Sequence, residues 1–582
     1  APLQPPAGAG SWASSERLIL RIVQRGGGWI CLLLGASLTF AGVQTVFPAV
    51  LGRAVDAVLG GQNSVPWLVG CGLLVGLLIV SDAFIGLAAG TSTARATAWL
   101  RRSLLDHVLA LGTRSGRRFG VGDLTARMVG NAADAGRVGI VLVRAVTAVV
   151  PALGGIVALA LIDPWLCLTF LVGAPMLLLL VRGNLRDASE LANRYLRAQG
   201  RVATRLVDAL AGARTIAAAR TTARERQRVL APLPELHDAG LGMWRVQTRS
   251  AAQQALLIPL LQIAVLAVAG IELGRGVISV GEVLAATQYV ALAAGVGSAV
   301  TLVSRFAQSR AAVGRTAEVF AEPAAQYGTE RLPAGRGQVE FRAVTLRRQG
   351  VPVLHDLDLV VPGGALVAVV GRSGSGKSLL AALVGRLVDP DEGEVLLDGV
   401  PLPALDRCDL RRAVGYGFER PRLLGNTLFD AIAFGAHVPA EPELAAAAQA
   451  ARADDFIRRM PQGYQTKLAD APMSGGEVQR IGLARAFAHA GRVLVLDDVA
   501  ASLDTVTEHH ISRVLTGVLA DRTRLIVAHR ASTAAHADLV VWLADDRVRR
   551  VAPHHELWTE PAYRAVFDQG LPPGGPRAGE TE

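Results

Sequence analysis

A multidomain membrane protein is the fold class this sequence predicts: an all-α six-helix transmembrane domain, then an α/β P-loop nucleotide-binding domain. Three observations predict it. Of the 582 residues, 51% are hydrophobic and 19% charged, with a mean hydropathy of +0.37, too apolar for a water-soluble chain of this length. The apolar residues gather in six runs before residue 305, and each reaches the ~20 residues a helix needs to cross a bilayer. Finally, Gly371-Arg372-Ser373-Gly374-Ser375-Gly376-Lys377-Ser378 fits G-x-x-x-x-G-K-[ST] at every fixed position.

In chain order, residues 1–13 are rich in Pro, Gly and Ala and read as a flexible N-terminus with no evident leader. Residues 14–25 mix Leu18, Ile19, Leu20, Ile22 and Val23 with Arg17, Arg21 and Arg25, which suits a short amphipathic helix on the membrane surface. The spans are expected at about 28–51, 66–93, 138–162, 164–184, 251–273 and 279–304, within a transmembrane domain of 14–320. Connections at 52–65, 162–164 and 274–282 carry few charges, whereas 95–137 and 182–249 are rich in Arg. Excess cationic charge stays on the cytoplasmic side. Both termini, both long loops and the second domain are therefore expected in the cytoplasm. Leu100, Leu104, Val108 and Leu111 repeat with a helical period, so the spanning helices should continue beyond the bilayer. Glycines 112, 116, 120 and 122 mark one turn back, and Gly212 another. These turns are candidate contacts for the second domain.

One carboxylate falls inside a span. Asp82 costs several kcal/mol there unless it faces a cavity or finds a partner. It is a candidate cargo contact, or else a structural bond to a residue such as Arg144; Gln44, Thr45 and Gln288 could join either role. The four cysteines have no metal-type spacing, and three fall in apolar stretches, so they read as small buried side chains. The net charge of +10 lies mainly between apolar runs and lacks interleaved aromatics, so no nucleic-acid partner is expected.

Residues 321–337 read as a linker, 338–568 as the nucleotide-binding domain and 569–582 as a flexible tail. Val339 to Phe341, Val353-Leu354 and Leu357 to Val361 read as strands, and a helical insert is expected near 440–485. The run 365–370 is a buried-strand pattern, and Leu379 onward opens a helix whose N-terminus faces the loop. The loop glycines let backbone N–H groups wrap a phosphate chain. Lys377 adds a compact ammonium, and Ser378 a hydroxyl for Mg²⁺. Lys377 is one of only two lysines among 59 basic residues, so its chemistry is not a matter of composition. About 120 residues later an apolar strand ends in Asp497-Asp498. Asp497 suits a Mg²⁺-directing carboxylate, and Asp498 stands where an attacking water needs a base. Between them in sequence, Ser474-Gly475-Gly476-Glu477 opens a helix, a second anion cradle. Ala501-Ser502-Leu503-Asp504 and His529 follow.

Phosphate loop, Ser-Gly-Gly signature, acidic strand end, Ser-Leu-Asp and His, in that order, resemble an ATP-binding cassette (ABC) transporter. Six spans before the cassette resemble a half-transporter of the exporter type, over residues 14–568. The resemblance implies a dimer in the lipid bilayer, in which two cassettes close head to tail on two ATP molecules. Each ATP lies between one chain's loop and the other's signature. It also implies ATP and Mg²⁺ as cofactors, and the Arg-over-Lys bias adds the expectation of a bacterial inner membrane.

Three positions depart from the family pattern. Arg348 stands where an aromatic residue usually stacks on adenine, though a guanidinium can also stack. Glu419 stands for the usual Gln near Mg²⁺ and the attacking water. Asp498 stands for the usual Glu base, one methylene shorter, and a displacement of ~1 Å can cost roughly 10²-fold in rate. The signature is intact. The expectation is therefore a heterodimer with a non-identical half-transporter. This chain's own site binds ATP but hydrolyses it poorly, and its signature completes a competent site on the partner. The cargo is expected to be an amphipathic small molecule or peptide moving outward, with a lipid also among the possible cargo partners. A siderophore importer, a lipid flippase, a slow homodimeric exporter and an ATP-sensing subunit stay open as alternatives.

Overall fold

The computed structural model describes residues 11–112, 119–295, 299–348, 350–499 and 504–567. The N-terminal ten residues, 113–118 with their turn glycine, Ala501-Ser502-Leu503 and the tail lie outside the described residues. The chain divides into two compact units, most of the chain up to Pro323 and the part from Ala324 onward.

The first unit is helical. α1 (Ser11–Arg25) is followed by α2 (Gly28–Leu59), α3 (Val65–Leu111), α4 (Val138–Ile162), α5 (Pro164–Ala211), α6 (Leu233–Gly274), α7 (Val280–Ala294) and α8 (Ala299–Ala321). Among the described residues, stretches containing α2, α3, α4 and α6 are long and apolar enough to cross a membrane, and α5 and α7 contribute shorter apolar helices. Leu33, Ala88, Leu159, Leu166, Phe170, Val265 and Val290 are buried, whereas Leu73, Leu161 and Val172 are exposed. Helices apolar on every side, with leucines left outward, belong in hydrocarbon rather than water.

Sequence explains the turns. Asp163 caps α5 by accepting from the Trp165 amide at 2.7 Å, and Pro164 occupies the first helical position, where its missing N–H costs nothing. α7 opens on a capping box of Ser279 and Glu282. Asp56 of α2 accepts from the Ser279 hydroxyl at 2.6 Å and from the Gly281 amide at 2.7 Å. The backbones touch here: a Cβ on Gly281 would sit 2.0 Å from the Gly52 carbonyl oxygen.

A buried position was expected for the cysteines in apolar runs, but Cys31 is exposed, Cys71 half-buried and only Cys167 buried. An apolar run in a spanning helix says that its surroundings are apolar, not that protein covers it.

Among the described residues the second unit has two sheets. A four-stranded antiparallel sheet, ordered β2-β1-β4-β5, comprises β1 (Val339–Arg348), β2 (Val351–Val361), β4 (Glu392–Leu397) and β5 (Val400–Pro401). Where two short strands were read around His355, β2 runs unbroken. Asp356 takes a left-handed φ of 48°, and register shifts against β1 absorb the irregularity. The second sheet, ordered β10-β9-β3-β8-β7-β6, comprises β3 (Leu366–Gly371), β6 (Val414–Gly417), β7 (Val493–Asp497), β8 (Thr523–Val527), β9 (Leu539–Ala544) and β10 (Arg547–Ala552). Every pairing from β9 to β7 is parallel, and every residue of β3 is buried. Strands covered on both faces explain its uninterrupted apolar run. β3, β8 and β7 are adjacent and end together, so the phosphate loop, His529 and Asp497 all emerge at one edge. That crevice outside the strand ends is where α/β sheets bind ligands.

Adding a methyl group at Gly281 should cost roughly 1–3 kcal/mol, because a backbone carbonyl cannot rotate away. Gly281→Ala is expected to lower the thermal unfolding midpoint of the purified chain. Gly270→Ala, on α6 with open space around it, is expected to leave it unchanged.

Candidate functional site

β3 delivers the chain into the phosphate loop, and α9 (Lys377–Val384) carries it away. The loop turns tightly because Gly374 and Gly376 take φ of 85° and 89°, a region closed to most side chains. Gly376 also has no room, since a Cβ would meet the Leu354 side chain at 2.8 Å. Gly371 is buried beneath the turn, and Leu379 packs on the core behind it. Arg372, Ser373 and Gly374 are exposed at the rim.

Two polar groups lie inside the loop. Ser375 Oγ is buried and makes no hydrogen bond, an anomaly that a phosphate oxygen would remove. Lys377 Nζ is buried and donates to the Gly371 and Arg372 carbonyls at 2.8 and 2.9 Å. Burial holds its pKa below the ordinary lysine value, against the charges of Asp498 and Asp497. A triphosphate would add anionic charge beside this ammonium. These residues fit ATP.

Ser378 Oγ donates to Asp497 Oδ1 at 2.8 Å. Two oxygens suited to a divalent cation thus meet from positions 119 apart in sequence. Burial raises both Asp497 and Asp498 above the usual carboxylate range, and the Glu419 charge adds to both shifts. The structure therefore brings Glu419, Asp497, Asp498 and Lys377 into one electrostatic group. Asp498 takes a left-handed φ of 47°, which Asp tolerates better than most residues. Its Oδ2 lies 3.6 Å from His529 Nε2. Arg348 is exposed at the end of β1, next to residue 349, which is not described.

The signature opens α10 (Gly475–Ala488). Ser474 caps it: the Glu477 amide donates to Ser474 Oγ at 3.3 Å, and Glu477 Oε2 accepts from the Ser474 amide and hydroxyl at 2.7 and 2.8 Å. Glu477, read as a nucleotide contact, here holds the cap, and these bonds keep its carboxyl below its ordinary pKa. Gly475 and Gly476 leave the first turn bare. Asp504 caps α11 (Thr505–Thr516) through the Thr507 amide at 3.1 Å.

Sequence reading missed a clasp. Gln479 of α10 is buried and donates to the Phe418 carbonyl at 3.0 Å, and Arg485 donates to the Arg422 carbonyl at 2.9 Å. Gly482 leaves space only for Pro421, 2.5 Å from where its Cβ would be. The segment around Glu419 is thus fixed to the signature helix. The only signal was an inward-facing Gln among apolar positions of α10.

The candidate cargo residues lie on three helices. Asp82 is exposed on α3, and Gln44 and Gln288 are half-buried on α2 and α7. Among the described residues no hydrogen bond joins any two of them, and no ion pair joins Asp82 to Arg144. Thr45 bonds back to the Ala41 carbonyl at 2.9 Å, and its own carbonyl accepts from Tyr289 at 3.0 Å.

Residues 354–501 match the family model described as ABC transporter, and residues 30–295 match the one described as ABC transporter transmembrane region. A Streptomyces coelicolor relative, "ABC transporter ATP-binding protein RamA", is 46% identical over 93% of this chain and 85% of its own length. The chain belongs to the ABC transporter family. It has the half-transporter architecture of an ABC exporter, a helical transmembrane domain fused to an α/β nucleotide-binding domain. A Mycobacterium bovis "Fatty acid ABC transporter ATP-binding/permease protein" is 30% identical over 73% of this chain and 68% of its own length. A Legionella pneumophila "ATP-dependent lipid A-core flippase" is 38% identical over 38% of each chain. The solved structure of a bacterial Atm1-family ABC exporter with ATP bound shares the fold, with a TM-score of 0.79 and 24% identity over 94% of this chain and 99% of that one.

The carboxylate group supports a signed prediction. A folded-state pKa raised above its unfolded value gives stability that is lost as pH rises through the folded value. Near neutral pH, Asp497 and Asp498 therefore strain the fold, and Glu419 worsens the strain. Glu419→Gln should raise the thermal stability at pH 7 by about 0.5 kcal/mol or less, since the Glu419 side chain is half exposed and screened. The gain should vanish as pH falls toward the ordinary carboxylate value of 3.8. Thermal unfolding of both proteins across that range checks it.

Proposed function

We propose that this chain is one half of a heterodimeric ATP-driven exporter. Its own ATP site grips nucleotide and cleaves it slowly, and its signature completes a competent site on a non-identical partner. The observation that carries this reading is the placement of Asp498. Its carboxylate is a methylene shorter than glutamate and lies against the chain's own His529 at 3.6 Å. An attacking water would need a base reaching out from that point, and Asp498 reaches less far.

The binding half of the site is in order. Phosphates would lie on the amides of the loop between Gly371 and Ser378, beside Lys377 and the unpartnered Ser375 hydroxyl. Arg348 offers a planar cation to the base. Ser378 and Asp497 would hold Mg²⁺, which supplies charge neutralisation to the terminal phosphates. Glu419 would then add a carboxylate where a neutral amide is usual. This supports tight metal binding at that position and poor placement of a water. On the other side, Ser474, Gly475 and Gly476 present a helix N-terminus with nothing altered. His529 would stand beside the terminal phosphate, and Asp504 is proposed as a further nucleotide contact.

The cargo reading is an amphipathic small molecule, peptide or lipid. The printed names of the fatty acid transporter and lipid flippase relatives favour the lipid-like end of that range. Asp82, Gln44 and Gln288, whose side chains bond to no other side chain among the described residues, would offer polar contacts in otherwise apolar helices. The reading of a bacterial inner membrane rests on the family likeness and the Arg-over-Lys bias, and that of cytoplasmic termini and cassette is supported by the charge asymmetry of the loops.

The test uses the purified chain alone and mixed with its partner. Alone, it should bind ATP and turn over slowly. A strong rise on Asp498→Glu in the unmixed chain, by as much as about 10²-fold where base placement is the limit, would favour the slow homodimer instead. Gly475→Glu should abolish turnover in the mixed complex while leaving ATP binding to this chain intact. Brisk ATP hydrolysis with transport by the unmixed chain would overturn the heterodimer reading.

A further inference from the structure

At the junction of α1, α2 and α3, four side chains form a crossed pair. Arg25, the last residue of α1, lies over the ring of Trp99 on α3, 5.6 Å from its centroid. Arg95, one turn before Trp99, lies over the ring of Trp29 on α2 at 5.7 Å. Trp29 is itself four residues past Arg25. Each arginine thus stacks on the tryptophan that neighbours the other one. Gly26 makes this possible, because a Cβ there would lie 2.7 Å from Ser92 Oγ of α3. The inner flank of Trp29 packs on Leu33, Ala88 and Ala89.

The arrangement is short of anions. Arg25 and Arg95 are exposed, and Trp29 and Trp99 half-buried. Arg21 and Arg17, one and two turns before Arg25, extend the same exposed stripe of α1. Among the described residues, no carboxylate pairs with any of these four arginines. A guanidinium stacked on an indole keeps its edge N–H groups free and fixed in direction, the geometry that takes a phosphate in two parallel hydrogen bonds. Apolar surface lies alongside. Three turns along α3 from Arg95, on the same helix face, Phe84 is exposed, and Leu20 is exposed on α1. Tryptophan at this level is the side chain that bilayer headgroup zones favour.

We propose that Arg25, Arg95, Trp29 and Trp99 form a binding site for the phosphate headgroup of an anionic phospholipid, with Arg17 and Arg21 as its electrostatic approach. That the lipid comes from the cytoplasmic leaflet rests on the orientation proposed above; the site itself does not. Two stacked guanidiniums meet one phosphate, and the acyl chains lie on the flank of α3. The site anchors α1 to the start of the first two spans through a lipid rather than through a protein ion pair.

The test is native mass spectrometry of the full-length protein in detergent, with phosphatidylglycerol or phosphatidylcholine of the same chains added. The wild type should retain phosphatidylglycerol preferentially. Arg25→Gln with Arg95→Gln should reduce that preference by at least tenfold, and Arg17→Gln with Arg21→Gln by a smaller factor. Arg25→Lys with Arg95→Lys keeps the charge but loses the planar fork, and should fall between wild type and the glutamine pair. Should the glutamine pair fail to fold, the lysine pair carries the test. Equal retention of both lipids by the wild type, or unchanged preference in the substituted proteins, would overturn the site. Displacement of phosphatidylglycerol by an excess of glycerol phosphate would overturn its assignment to lipid. None of these readouts depends on ATP turnover or on a partner chain, so the proposal can fail while the transport reading stands.

Discussion

The hydrogen bond from Ser378 to Asp497 is the point on which the second unit turns. It joins the first turn of α9 to the end of β7 across 119 residues. It can form only because β3, β8 and β7 lie side by side and stop at the same level. The whole sheet can be viewed as the device that sets this distance. β3 is buried along its length because it must run through the middle of the layer to place Gly371 at the edge. β8 lies between β3 and β7, and so His529, two residues beyond its end, emerges between the loop and the acidic pair. Parallel pairing is the physical requirement here: antiparallel neighbours would bring alternate strand ends to opposite edges.

At that edge the electrostatics are unusual in a specific way. One lysine faces Asp497 and Asp498, with Glu419 adding a third negative charge. Burial and like charges both push Asp497 and Asp498 toward their protonated forms, while the ammonium of Lys377 is itself weakened by burial. Such a group is ready to receive a cation and a polyanion together, because each relieves the strain the other would create. The proposed difference between gripping and cutting follows from the same set of residues. Binding depends on summed charge, which tolerates a displaced carboxylate. Water activation depends on where one oxygen sits, which does not.

What could be read from sequence was whatever depends on local order. The phosphate loop, the acidic strand end and the capping Ser474 each carry their chemistry within eight residues or fewer. The apolar runs announce hydrocarbon surroundings by length alone. What could not be read depends on packing between distant segments. The clasp of Gln479 and Arg485 on the Phe418–Arg422 segment joins residues more than sixty apart, and a single Gln in a helix does not advertise a carbonyl partner. Cys31 and Asp82 show the same limit in the spans. Their depth along the helix was legible, but the face they occupy was not, because an all-apolar helix has no polar side to set its rotation.

The clasp also bears on how an altered site and an intact signature can coexist in one chain. Glu419 lies in the segment held by α10, and α10 begins at Ser474. Any motion of that helix is therefore transmitted to Glu419 through a buried amide, a proline seat and an arginine bond, with little slack. In the proposed dimer, Glu419 serves this chain's own nucleotide, whereas Ser474 serves the partner's. A slow site and a fast one would then be coupled mechanically even though they are chemically unlike. Engagement of the signature with one triphosphate would draw the Glu419 carboxylate toward, or away from, the other. On this view the chain's own site need not cleave to contribute. By holding its nucleotide it fixes the position of the segment to which the signature helix is tied, and the departures at Glu419 and Asp498 bear on cutting while leaving that hold in place.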